Sequence, residues 1–136
     1  YFNYADKAAV IIADPEQLKR VINNIISNSV KYMSTDRKGI INIRVSDADD
    51  FVQFEIEDNG KGIAQKDVQY IFDRFYRTDS SRNSAQGGSG IGLSIVKKII
   101  SDHGGQIWAT SKEGTGTVMH FVLRKYKNQE SGESDE

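Results

Sequence analysis

The stretch DPEQLKRVINNIISNSVKY, residues 14–32, decides how the chain reads. Asp14 stands as an N-cap, and Pro15, the only proline, takes the first helical position. Leu18, Val21, Ile22, Ile25, Ile26 and Ser29 then recur as an inward stripe, which predicts a helix to about Met33. Asn24, Asn28 and Lys31, four and then three apart, stack along one face of it, clear of the apolar residues. Two carboxamides and an ammonium in line make a poor core. They suit a metal–triphosphate group lying alongside, and they suit a solvated helix face equally well.

Outward from this helix, residues 8–13 (Ala-Ala-Val-Ile-Ile-Ala) read as a short buried strand. Ile40–Ser46 and Phe51–Glu57 alternate as the strands of a hairpin joined through Asp47-Ala48-Asp49-Asp50. Val52, Phe54 and Ile56 face one way, while Gln53, Glu55 and Glu57 face the other. A helical stretch is expected around Gln65–Tyr76, and Thr78–Gly90 is polar and glycine-rich enough to predict a mobile loop. A second clear helix spans Gly92–His103, with Leu93, Val96, Ile99 and Ile100 inward, and ends at Gly104-Gly105. Two strands, Gln106–Ser111 and Thr117–Leu123, close a domain of residues 1–125, and a polar, acidic, disordered tail is expected over 126–136. No internal repeat is found. The sum is a two-layer α/β sandwich: a mixed sheet of about five strands with about three helices on one face. The order is not a regular βαβ alternation, which argues against a Rossmann domain.

A chain of 136 residues is about one domain and can bury a real core. Net charge −1 and a pI near 6.2 argue against a nucleic-acid backbone as partner. No apolar run approaches a membrane span and no signal peptide is visible, so no direct membrane contact is expected. Zero Cys removes disulfides, thiolate metal sites and cysteine nucleophiles, and fits a reducing compartment. The chain opens at Tyr1 without a Met, which points to a piece of something longer.

The chemistry rests on few residues. Mg²⁺ beside a triphosphate takes few protein oxygens, so the carboxamide of Asn28 is enough, and Lys31 one turn on could neutralise phosphate charge. Asp58 ends an alternating strand and is followed by Gly60 and Gly62, where glycine permits φ > 0 and close backbone approach to a flat ligand. A carboxylate there needs a partner, and the exocyclic amine of adenine would serve where guanine presents an acceptor. A plain turn after a strand accounts for Asp58–Gly62 as well. The cluster Gly87-Gly88-Ser89-Gly90-Ile91-Gly92-Leu93 precedes a helix, a natural phosphate site. It is not a P-loop and lacks G-x-G-x-x-G spacing; alone it could be a flexible linker. Arg74, Arg77 and Arg82 could reach a γ-phosphate or simply solubilise the surface, and His103 and His120 read as structural.

These pieces, together and in order from about Ala8 to Leu123, closely resemble the catalytic and ATP-binding domain of bacterial sensor histidine kinases, of the Bergerat-fold ATPase/kinase group. Asn24–Tyr32 is similar to the family's N box and Asp58–Ile63 to its first glycine box. Phe72–Arg77 resembles its F box and Gly88–Leu93 its second glycine box. His103-Gly104-Gly105 and Gly114–Thr117 fit the closing strands. The resemblance implies that Asn28 coordinates Mg²⁺ with Asn24 assisting, that Lys31 meets the phosphates and that Tyr32 lies against the nucleotide. It implies that Asp58 takes the adenine amine, with Gly60, Gly62 and Ile63 around the base. Residues from about Asp73 to Gly90 would be an ATP lid, with Gly88, Gly90, Ile91, Gly92 and Leu93 on the nucleotide and Arg77 positioning the γ-phosphate. Asn24, Lys31 and Arg77 are thus the expected catalytic residues, and ATP and Mg²⁺ the expected ligands.

Hydrolytic members of the group resemble each other in carrying Glu one turn before the metal-binding Asn; here that place is Asn24, and a carboxamide cannot act as a general base toward water. The phosphoacceptor His of such kinases sits in a separate helical-hairpin dimerisation domain, and nothing like it occurs in these residues. The implied partners are that domain and, indirectly, a response regulator, with this piece monomeric and cytoplasmic. Arg124 departs from the Pro many members carry after the last strand. A different class of reading is a nucleotide-dependent protein-binding module, such as an anti-sigma factor or a degenerate kinase.

Overall fold

The computed structural model describes residues 2–3, 11, 13–73 and 92–125. Helix α1, Pro15–Lys31, starts where the sequence places it. The Asp14 carboxylate accepts from the backbone N–H of Glu16 at 2.9 Å and of Gln17 at 3.5 Å, satisfying donors that the first turn leaves without partners. Val21, Ile25 and Ser29 are buried, and Leu18, Ile22 and Ile26 pack at the margin of the core.

A five-stranded sheet carries the helices, in the order β1-β2-β3-β5-β4. Its bulk is four antiparallel strands: β2 Ile41–Ala48, β3 Phe51–Asp58, β4 Gln106–Lys112 and β5 Gly116–Arg124. The β2–β3 hairpin is tighter than its sequence suggests. Pairing continues to Ala48 opposite Phe51, leaving only Asp49 and Asp50 in the loop, with Asp49 at φ 60° as two-residue hairpin turns require. The edge strand β1 is Phe2–Asn3, two residues running parallel to Ile43–Arg44 of β2. Of the strand expected over residues 8–13, Ile11 makes an isolated antiparallel bridge to Lys125, and residues 8–10 and 12 lie outside the described residues.

Register shows why the core sits where it does. Val52 lies opposite Leu123, Phe54 opposite Phe121 and Ile56 opposite Met119, so period-2 alternation in β3 and β5 turns all six toward the helices. The rings of Phe54 and Phe121 stack with centroids 4.7 Å apart. Helix α3, Gly92–Asp102, adds Val96, Ile99 and Ile100 to this core and packs on α1. Helix α2 is only Gln65–Val68. Beyond it, turns bonded from Tyr70 to Asp67 and from Asp73 to Tyr70 carry Ile71 into the core, so the longer helix expected to Tyr76 is not continuous. Residues 74–76, the expected loop and the expected tail lie outside the described residues.

The opposite sheet face carries charge instead. Arg44 donates to Glu55 at 3.1 Å and to Glu57 at 2.7 Å, while Glu55 also accepts from Gln53 and meets Nδ1 of His120 at 3.0 Å. The His120 ring stacks on Trp108, and its Nε2 meets Thr110 Oγ1 at 2.9 Å. Partial burial raises the Glu55 pKa, but the Arg44 hydrogen bond and the charges of His120 and Arg44 outweigh it and hold the group below its usual 4.5.

Two outcomes follow. Replacing Asp14 by Ala removes the cap and should lower unfolding free energy by about 1 kcal/mol in urea denaturation. A depressed folded pKa stabilises above the unfolded value and is lost as pH falls through the folded one. Stability should therefore drop below about pH 4.5 on account of Glu55, and Glu55→Gln should flatten that limb of a thermal-unfolding pH series; an unchanged limb would remove Glu55 from the acid response.

Candidate functional site

The site is built where α1 ends, β3 ends and β5 begins. On α1 the exposed positions in its second half are Asn23, Ser27 and Val30, whereas Asn24, Asn28 and Lys31 are half-buried between that stripe and the core. The solvated face is therefore a different one, and the two carboxamides sit at the boundary of the helix layer. Among the described residues neither carboxamide has a side-chain hydrogen-bond partner. The Lys31 ammonium lies 5.6 Å from the centroid of the Tyr32 ring, within cation–π range.

Asp58 is the last residue of β3. It pairs across the sheet with Ile41 on one side and Thr117 on the other, and alternation from Ile56 points it to the helix side. Its Oδ1 accepts from the Gly60 N–H at 2.9 Å and from the Thr117 N–H at 3.3 Å. The carboxylate is half-buried and aimed by backbone donors from two chain segments, both of which bond its Oδ1.

The glycines of the following turn have an identifiable job. A Cβ on Gly60 would stand 2.6 Å from the carbonyl oxygen of Tyr32, and Gly62, at φ +76°, would place one 2.2 Å from the carbonyl oxygen of Lys112. The neighbours that demand glycine here are protein carbonyls, where the sequence suggests a flat ligand. The Lys61 N–H donates to the Tyr32 carbonyl at 3.0 Å, and the Gly114 N–H donates to the Lys61 carbonyl at 2.7 Å. The turn is thus pinned between the end of α1 and the β4–β5 turn. Beside it the Ile63 N–H donates to Ser111 Oγ at 2.8 Å, and Ser111 Oγ donates to the Gly116 carbonyl at 2.9 Å. That leaves the buried Thr117 hydroxyl to donate to Ser111 in their 2.7 Å contact. Neither Thr117 nor Ser111 stands out as a site residue in the sequence. The paired threonines of Gly114–Thr117 are their only signal, and only strand register brings Thr117 beside Asp58.

The beginning of α3 faces the same region. The Asp14 N–H donates to Nε2 of His103 at 3.1 Å, so the end of α3 lies at the start of α1 and the packed helices run antiparallel. That acceptor role places the proton of a neutral His103 on Nδ1, which donates to the Ile99 carbonyl at 2.8 Å. With α3 about 16 Å long against about 25 Å for α1, Gly92 and Leu93 point toward the half of α1 that carries Asn24 and Asn28. Gly92 is exposed and Leu93 packs on the core. Arg74, Arg77, Arg82, Gly88, Gly90 and Ile91 lie outside the described residues, as does the expected lid from about Asp73 to Gly90 apart from Asp73 itself. Among the described residues no cluster of three or more His, Cys, Asp or Glu could hold a metal ion, so a cation here would have to bring most of its ligands with it.

Comparison with known proteins agrees with this geometry. Residues 13–127 match the family described as histidine kinase-, DNA gyrase B- and HSP90-like ATPase. The chain is 39% identical over 134 residues to the sensor histidine kinase WalK of Bacillus subtilis, covering 98% of this chain and 22% of that protein. It therefore spans about a fifth of the length of that relative. The solved catalytic domain of the histidine kinase ThkA, in a nucleotide-free form, superposes with a TM-score of 0.75 at 30% identity, covering 91% of this chain and 78% of that one. Full-length ShkA in complex with AMPPNP superposes with a TM-score of 0.76 at 26% identity, covering 93% of this chain and 26% of that one. The chain belongs to the histidine kinase-, DNA gyrase B- and HSP90-like ATPase family, as a histidine kinase catalytic domain.

Proposed function

We propose that this domain presents Mg-ATP within a two-component sensor histidine kinase, for transfer of the γ-phosphoryl group to a histidine on a separate dimerisation domain. The observation that carries the reading is the Asp58 carboxylate, aimed by the N–H groups of Gly60 and Thr117 at a turn bonded to the end of α1, the helix that carries the two carboxamides. Its free oxygen would accept from the adenine amine. Tyr32, Gly60, Gly62 and Ile63 would shape the base site, and Gly88, Gly90, Ile91, Gly92 and Leu93 the phosphate side. The likeness to full-length ShkA, solved in complex with AMPPNP, supports nucleotide binding by a domain of this fold.

The half-buried carboxamide oxygen of Asn28 fits the single protein ligand that a phosphate-bound Mg²⁺ needs. That ion supplies charge neutralisation along the triphosphate. Asn24, one turn earlier, has no basic lone pair to take a proton from water, so hydrolysis lacks its general base. Lys31 and Arg77 would hold the γ-phosphate in line for attack. An imidazole nitrogen of the acceptor histidine forms the N–P bond as the bridging P–O bond breaks, and ADP leaves with that electron pair. The parent kinase would place this domain in the cytoplasm, monomeric by itself, with a response regulator receiving the phosphoryl group afterwards.

Calorimetric titration tests the reading. Mg-ATP should bind saturably, and GTP should bind at least about tenfold more weakly, since a guanine presents an acceptor to Asp58. Asp58→Asn should weaken ATP by about tenfold or more, because the amide must turn a donor toward one of its present donors or toward the base. Asn28→Ala should abolish the Mg²⁺ dependence of binding while leaving weak metal-free binding in place. Binding of ATP without transfer to the parent protein's own dimerisation domain would favour the nucleotide-dependent binding module.

A further inference from the structure

Arg37, in the segment joining α1 to β2, makes three hydrogen bonds to backbone carbonyls. Its Nε donates to the Asn59 carbonyl at 2.9 Å, and its Nη2 donates to the carbonyls of Gly60 and Gly114, each at 2.8 Å. The three acceptors belong to two separate turns, 22, 23 and 77 residues away in sequence. One cation thus spans the turn after Asp58 and the turn before Thr117.

Peptide planarity gives this grip a direction. The Asn59 carbonyl and the Gly60 N–H belong to one rigid plane and point opposite ways. Drawing the Asn59 oxygen toward Arg37 turns the Gly60 N–H toward the Asp58 carboxylate, where it donates at 2.9 Å. The next plane repeats the arrangement: the Gly60 oxygen goes to Arg37 and the Lys61 N–H to the Tyr32 carbonyl. Glycine at 60 offers no side chain to bias these planes, so the bias must come from outside. A guanidinium suits the task, because its planar fork offers five N–H donors and stays charged. The Asn59 side chain adds a second tie, accepting from the Ile40 N–H and donating to the Lys38 carbonyl, each at 2.8 Å. It fixes the turn to the strand, whereas Arg37 links the two turns flanking Asp58 and Thr117.

We propose that Arg37 is the positioning residue of the base-reading carboxylate: it orients the Asn59–Gly60 peptide plane, whose N–H aims Asp58, and ties that turn to the one before Thr117, and so sets discrimination between purines with and without a 6-amino group. The proposal rests on the nucleotide-site reading above and goes beyond it by adding a residue that touches no ligand.

The test compares the whole chain with Arg37→Ala and Arg37→Lys, titrated with Mg-ATP and with the Mg complex of purine riboside triphosphate, which lacks the 6-amino group. The unmodified chain should prefer ATP. In Arg37→Ala the ATP affinity should fall about tenfold while the analogue's changes less than about twofold, collapsing the preference. Arg37→Lys should not restore it, because a point donor cannot reproduce the fork. Equal weakening of both ligands, or a preference left intact, overturns the proposal. Amide hydrogen exchange without nucleotide gives an independent readout. Exchange at Gly60, Lys61 and Gly114 should accelerate in both variants while Val21, Ile25 and Ile56 stay protected. Acceleration spread evenly through α1 and β3 would mean general destabilisation and would also overturn it. Should the unmodified chain bind no nucleotide, the site reading fails and exchange alone decides whether the clamp exists. Should Arg37→Ala not fold, Arg37→Lys carries both comparisons.

Discussion

A carboxylate at the end of a sheet strand, turned toward the helix layer, is the constraint on which the site depends. Leaving Asp58 half-buried without donors would cost free energy, and the fold supplies two from backbone, the N–H groups of Gly60 and Thr117. Those donors exist only because β5 pairs with β3 in one register and because the turn after Asp58 folds back on itself. The turn in turn requires glycine at 60 and 62, since the carbonyls of Tyr32 and Lys112 occupy the space of a side chain. The end of α1, the end of β3 and the β4–β5 turn are therefore one unit. A change in any of them moves the carboxylate.

The sheet divides labour by face. Toward the helices, Phe54, Ile56, Met119, Phe121 and Leu123 bury their side chains, and non-directional burial fixes layer spacing without fixing any single atom. Away from them, Arg44, Glu55, Glu57 and His120 form directional contacts across three strands. Pairs as exposed as Arg44 with Glu57 contribute little apiece, about 0.2–1 kcal/mol. Their value is in register: a one-residue slip of β3 would put its carboxylates into the core.

Much of this is legible in the sequence, and the departures share a cause. Alternation in β3 and β5, the Asp14-Pro15 start of α1 and the glycine end of α3 are local signals, and each element forms within about two residues of its expected place. The stacking of Asn24, Asn28 and Lys31 is legible too. That this face is half-covered while Asn23, Ser27 and Val30 meet solvent is not, because it depends on what packs beside α1. The edge strand at Phe2–Asn3 is defined only by its partner forty residues on. Helix α2 stops early because Ile71 is drawn into the core. Thr117 and Arg37 are silent in the sequence for a related reason: their partners lie 59 and up to 77 residues away, and nothing in their immediate neighbours marks them. The glycines of the first box are visible as a motif, but spacing alone suggests ligand access, where the protein's own backbone is the close neighbour.

Trp108 is the chain's single tryptophan, and it lies against the imidazole of His120 on the sheet face turned away from the helices. Its emission is consequently an optical signal from the sheet face opposite the proposed nucleotide site. What it is placed to register is the integrity of the β4–β5 pairing that holds the two rings together. Tryptophan emission of this domain is therefore a gauge of folding, and an assay of the proposed nucleotide site needs a label placed elsewhere.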